Sequence, residues 1–131
     1  MPFAHTVARR LAVLGLGAAA TLAAPFASLP AVAAASAQLT ITVTPEAGGA
    51  YAVRLFCDPD GGLHPRPELA CDAVRSVNGY IEDLNYDPGP CQLILAPVDV
   101  TVEGHWYGMP VSYLRQFPNE CVMKRTLGPV V

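Results

Sequence analysis

Charge is scarce in this 131-residue chain: Lys and Arg number 8, Asp and Glu 11, for a formal net charge of −3. So few cations on an acidic balance leave no electrostatic footprint for nucleic acid or an anionic membrane. Long hydrophobic runs are also missing. The uncharged apolar stretch 11–24 (LAVLGLGAAATLAA) is too short to span a bilayer comfortably, and no later segment is apolar enough. No G-x-S-x-G elbow surrounds Ser76, in a predicted helix, or Ser112, in a predicted strand, so nothing marks a hydrolase nucleophile. The four cysteines include no C-x₂-C pair, which argues against zinc. Internal repeats, low-complexity tracts and a second domain are absent too.

What is present begins with a leader. Arg9 and Arg10 precede the apolar run, and small-residue sites follow at Ala31-Val32-Ala33 and Ala35-Ser36-Ala37. That order predicts a secretory signal over residues 1–37, cleaved near 33–37, and an extracellular domain over 38–131. Losing both arginines leaves six basic against eleven acidic side chains, a net charge of −5. After signal removal no membrane partner is expected.

Cys57, Cys71, Cys91 and Cys121 all fall in the exported part. An even count in a short secreted chain reads as two disulfides, with three pairings open. Sequential pairing would close residues 57–71 and 91–121, each crosslink contributing about 3 to 4 kcal/mol in the chain-entropy picture.

Strict alternation over 38–44 (QLTITVT) predicts a half-buried strand, with Leu39, Ile41 and Val43 on one face. After the PEAGG turn, Tyr51, Val53, Leu55 and Cys57 alternate again, giving a hairpin. The prolines and glycines of 58–67 (DPDGGLHPRP) exclude regular structure there. From Pro67 the apolar period lengthens to threes and fours through Ala70, Ala73, Val74, Val77, Ile81 and Leu84, which predicts one amphipathic helix. Val98, Val100 and Val102 form a further strand that Gly104 is expected to end in a turn, followed by one or two short strands. The tail from 118 reads as turn-like. The sum is an α+β fold with a mostly antiparallel sheet. His64 and His105 read as surface loop histidines, Glu82, Asp83 and Asp87 as a solvated helix end, and Trp106 as a core or interface aromatic. No cofactor or metal is implied.

One stretch resists that plain account. In GPCQLILAPV (89–98), the apolar run Leu93–Ala96 stands between Pro90-Cys91 and Pro97. It reads either as a buried strand or as an exposed, extended bait. The flanking prolines remove backbone donors and favour extended geometry, which suits the bait. Serine proteases bind substrates as an added strand with one side chain in a specificity pocket, so a stiff leucine-bearing segment fits such a site at small ordering cost.

The segments CQLILAPVDVTVEGHWYG and VSYLRQFPNECVM resemble the Streptomyces subtilisin inhibitor family of secreted protease inhibitors. The likeness runs from Leu39 to about Met123. Its most specific residues are Cys91, Pro97, Val98, Thr101, Val102, Gly104, Trp106 and Gly108, then Val111, Ser112, Tyr113, Phe117, Asn119, Glu120, Cys121 and Met123. The resemblance implies a sheet of about five antiparallel strands with two helices packed on it, commonly as a homodimer joined through the sheet. It implies disulfides Cys91–Cys121 and Cys57–Cys71, and a reactive bond Leu93–Ile94 in a binding loop of Pro90, Cys91, Gln92, Leu95, Ala96 and Pro97. Asn119 is expected to support that loop, and subtilisin-like serine proteases are the implied partners. Three features depart from the family pattern: Gln92 replaces a common proline, Ala96 a polar or acidic residue, and the end Gly128-Pro129-Val130-Val131 lacks the usual phenylalanine-containing strand. An alternative function on the same scaffold is a non-inhibitory protein that binds another extracellular enzyme, such as a transglutaminase or metalloprotease.

Overall fold

The computed structural model describes residues 34–131 and, nearer the N-terminus, residues 15, 17–25 and 28–29. The chain divides into two units, Met1–Ala31 and Val32–Val131. In the first, the described residues are exposed and form neither helix nor strand. Arg9, Arg10 and the Ala31–Ala33 cleavage candidate lie outside the described residues. Among those that are described, no helix is long and apolar enough to cross a membrane.

The second unit is built on one antiparallel sheet of five strands: β1 (Ala37–Pro45), β2 (Tyr51–Cys57), β3 (Gly61–Gly62), β4 (Val98–Trp106) and β5 (Met109–Phe117). Their spatial order is β3-β2-β1-β4-β5. The alternating QLTITVT run takes the centre, where its backbone is paired on both sides: Ile41 stands opposite Val53 of β2 and Val102 of β4. Because side chains alternate along each strand, the register puts Leu39, Ile41, Val43, Val102, Val111, Tyr113 and Phe117 on one buried face. Full burial of such a side chain stabilises by about 1.5–3 kcal/mol. The other face is mostly polar.

Helices α1 (Pro67–Ser76) and α2 (Glu120–Leu127) supply the opposing apolar surfaces. Ala70, Ala73 and Val74 of α1, and Met123 and Leu127 of α2, are buried in the core. Pro67 stands in the first turn of α1, where its missing donor costs nothing. The Cys57–Cys71 disulfide staples α1 to the end of β2.

Five local expectations are corrected. The helix stops at Ser76 instead of running to Leu84, because Asn78 and Gly79 take left-handed backbone (φ 53° and 82°). A Cβ on Gly79 would lie 2.5 Å from the Trp106 ring, so glycine lets the indole close over the helix end. Ile81 is still buried, now on a 3₁₀ turn, Ile81–Asp83. Gly104 does not turn the chain. It lies inside β4 at φ 146°, where a Cβ would stand 1.9 Å from the Gln38 carbonyl oxygen of β1. The turn falls at Tyr107-Gly108, both with positive φ, as a tight hairpin requires. The 58–67 stretch includes the two-residue strand β3, paired with Leu55 and Phe56. The tail is not turn-like: α2 is followed by a 3₁₀ turn, Gly128–Val130, that buries Pro129 and Val130. His64 is buried rather than superficial, and His105, though exposed, lies in β4 and not in a loop. The His64 Nδ1 accepts from the Arg66 N–H at 3.0 Å, and its Nε2 donates to the Val130 carbonyl at 3.1 Å.

Candidate functional site

Between the 3₁₀ turn at 81–83 and β4, residues 84–97 have no regular structure. The prolines and glycine at 88–90 prevent helix and remove ladder donors. Of the two readings of Leu93–Ala96, the structure takes the exposed one. Leu93 shows 105% of its reference surface, Leu95 82% and Ile94 56%. Three adjacent large apolar side chains in water are an unfavourable arrangement for a small domain unless something covers them.

The segment is nonetheless held on both sides of Leu93. Cys91 is bonded to Cys121 in the first turn of α2, with Cα atoms 5.9 Å apart. The Ile94 N–H donates to the Gln92 carbonyl at 2.9 Å, closing a three-residue turn with Leu93 at its tip. Asn119 Nδ2 donates to the Ile94 carbonyl at 2.8 Å and, more weakly, to that of Gln92 at 3.4 Å. The Ala96 N–H donates to the Pro118 carbonyl at 2.8 Å, and the Glu46 N–H to that of Pro97 at 2.9 Å. None of these bonds uses the Leu93 carbonyl.

Asn119 is the joint of the arrangement. It is buried, extended in backbone, and N-caps α2: its Oδ1 accepts from the Val122 N–H at 2.9 Å. The amide is therefore fixed at one end by the helix and offers its Nδ2 to the loop. Of its two acceptors in the loop backbone, the Ile94 carbonyl is the closer.

The other expected loop residues are placed as follows. Gln92 and Ala96 are exposed, Pro90 is exposed on the approach, and Pro97 is half-buried where the chain enters β4. Two clefts border the loop. One, of about 410 Å³, is lined by Ile94, Ala96 and Pro97 together with Pro45 at the end of β1 and Ala47 of the β1–β2 turn. The other, of about 390 Å³, lies between Leu93–Leu95 and Pro118 and Val122. The fastenings through the Pro118 carbonyl and the Glu46 amide were not legible in the sequence, since a backbone group carries no residue-type signal.

A charged cluster on α1 lies away from the loop. Arg75 of α1 pairs with Asp58 at 2.6 Å, with Asp72 at 2.7 Å, and with Asp60. It ties the 58–60 turn to α1 near the Cys57–Cys71 bond, at the end of the sheet opposite the exposed loop. Cys57 and Cys71 share a disulfide, so neither offers a thiolate.

A family profile described as subtilisin inhibitor-like matches residues 32–119. A trypsin inhibitor of Streptomyces longisporus is 43% identical over 118 residues, covering 85% of this chain and 81% of that protein. Subtilisin inhibitor-like protein 5 of Streptomyces fradiae is 44% identical over 81 residues, covering 60% of this chain and 76% of its own length. Among solved structures, the complex of Streptomyces caespitosus sermetstatin with Bacillus licheniformis subtilisin matches with a TM-score of 0.57 and 29% identity. That match covers 72% of this chain and 96% of the matched chain. The fold, the two disulfides and these likenesses agree: the chain belongs to the subtilisin inhibitor-like family.

Proposed function

We propose that this protein is a substrate-like inhibitor of subtilisin-type serine endopeptidases, and that Leu93–Ile94 is the bond it presents. The observation that carries the reading is the loop itself: Leu93 is fully in solvent while its neighbours on both sides are anchored to the same helix terminus. The names of the relatives, trypsin and subtilisin inhibitors, and the subtilisin in the sermetstatin complex support it.

The chemistry follows from the anchoring. A protease serine attacks the Leu93 carbonyl carbon, the Leu93–Ile94 C–N bond breaks, and a proton passes to the Ile94 nitrogen. In an ordinary substrate the amine then leaves. Here the Ile94 side is retained by Asn119 and the Pro118 carbonyl, while the Leu93 side is retained through Cys91–Cys121. The amine stays opposite the acyl carbon at high effective concentration, so the reverse reaction competes with water. An apolar leucine in the specificity pocket suits subtilisin; trypsin selects a basic residue.

Residues 1–37 would serve as the export signal, placing the domain outside the cell. A homodimer would use the outer sheet face, where Leu114, 74% exposed, lies in register with Thr101, and Thr101 with Thr42. Sedimentation of the mature protein would show a dimer.

Titration against subtilisin tests the main proposal. Stoichiometric loss of activity is expected, and Leu93→Lys should transfer inhibition towards trypsin. Absence of inhibition with rapid cutting at several loop bonds would refute it, and favour a non-inhibitory binding role for the apolar loop.

A further inference from the structure

Taking the loop as the protease-facing segment, we infer that Arg125 is a positioning residue: its guanidinium holds down the arm that leads into Leu93. The inference rests on the inhibitor reading for its consequence, but its geometry is independent of it.

Cys91–Cys121 fixes the arm at a single residue. Upstream, the chain lies against the last turn of α2: the Tyr86 N–H donates to the Thr126 carbonyl at 3.1 Å, and the Asp87 N–H to the Arg125 carbonyl at 2.8 Å. From there the Arg125 side chain reaches on towards the loop. Its Nη1 donates to the Asp87 carbonyl at 3.2 Å and to Asp87 Oδ2 at 3.1 Å. It also lies over Gly89, where a Cβ would stand 2.6 Å from Nη1 and 3.0 Å from Cζ. Gly89 does not have left-handed backbone. A side chain there would have to displace the guanidinium, the mobile end of Arg125.

Asp87–Pro90 would otherwise be a slack span between two fixed points. Arginine suits the task because one planar fork serves a carbonyl, a carboxylate and a backbone surface together, where an ammonium offers a single point charge. In the cut state the acyl end at Leu93 must remain opposite the Ile94 amine. Slack in the arm widens the volume that end explores and lowers the effective concentration for re-ligation.

The test uses Arg125→Ala, Arg125→Lys and Gly89→Ala in the whole mature protein, with two readouts. The first is the equilibrium ratio of cut to intact Leu93–Ile94 bond under catalytic subtilisin. The second is amide hydrogen exchange without protease at Asp87 and Ile94, whose N–H groups are hydrogen-bonded in the arm and at the loop tip. For Arg125→Ala the ratio should rise about three- to tenfold, the range expected for a partly exposed charge-assisted contact. The Asp87 and Ile94 amides should exchange faster, while core amides such as that of Ile41 stay unchanged. Gly89→Ala, which displaces the guanidinium, should reproduce both effects, and Arg125→Lys should recover them only in part. Unchanged exchange at Asp87 and Ile94 in both Arg125→Ala and Gly89→Ala, or a uniform rise across the core, would overturn the inference. If the wild type does not inhibit, the inhibitor reading fails alone and exchange still decides the clamp.

Discussion

Removing the two disulfides one at a time separates stability from inhibition. The crosslinks differ in sequence separation, 14 for Cys57–Cys71 and 30 for Cys91–Cys121. In the chain-entropy model these separations give about 3.0 and about 3.6 kcal/mol of stabilisation. The loop-entropy parts of the two Cys→Ser penalties should therefore lie within about 1 kcal/mol of each other. The buried Cys57 and Cys71 sites add the cost of placing hydroxyls in the core. The positions of the two crosslinks are very different. Cys57–Cys71 joins β2 to α1, while Cys91 stands two residues before Leu93. Urea denaturation would measure both stabilities. Each variant would then be held with catalytic subtilisin at a temperature where circular dichroism shows it folded. Residual inhibition and cleavage at Leu93–Ile94 would be followed together by activity and mass spectrometry. The Cys57→Ser/Cys71→Ser protein should keep inhibiting. The Cys91→Ser/Cys121→Ser protein should inhibit briefly and then decay as the Leu93 end drifts from the Ile94 amine. Parallel decay in both, ranked only by their denaturation midpoints, would refute the mechanical account.

Two further outcomes are expected. Asn119→Asp keeps an oxygen to cap α2 but replaces the Nδ2 donor with a carboxylate oxygen beside the Ile94 carbonyl. The cap is kept, so α2 should stay folded by circular dichroism, with a stability loss of about 1–3 kcal/mol from the buried oxygen that faces an acceptor. Cleavage at Leu93–Ile94 should quicken roughly tenfold, measured by chromatography of the cut product. Asp60 provides a pH test remote from the loop. A hydrogen bond from Arg75 holds its carboxyl below the ordinary aspartate value, with its own burial opposing. The folded state thus binds that proton less readily than the unfolded chain. The resulting stability is present in full above about pH 4 and is lost as the pH falls through the lower folded value. Asp60→Asn should flatten this acid limb in thermal melts taken from pH 2 to 6.

The strands were legible because alternation has only one structural meaning in a chain this short. Leu39, Ile41 and Val43 could share a face only in an extended backbone, and they form the centre of the sheet. The helix start was legible in Pro67, its end was not. Ile81 and Leu84 keep the apolar spacing of a helix that Asn78 and Gly79 have already stopped, and both are buried whichever way the chain reaches them. Gly104 misled for the opposite reason. A glycine among valines looks like a turn, and its actual cause is the Gln38 carbonyl of a strand sixty-odd residues away in sequence. Helix α2 is short and half polar, so its local pattern is weak; the Asn119 cap and burial of Met123 and Leu127 hold it.

The amino-acid sequence alone determined the alternating strands, the start of α1, an even set of cysteines, and an apolar tripeptide placed between prolines. Those features are local, resting on side-chain period and on what proline and glycine allow the backbone to do. Whether that tripeptide would be buried or displayed was a tertiary matter. It depended on the Asn119 amide, the Pro118 carbonyl and Cys121 arriving beside it from the far side of β4 and β5. No window along the chain contains those partners together, and only the folded sheet brings them within hydrogen-bonding distance.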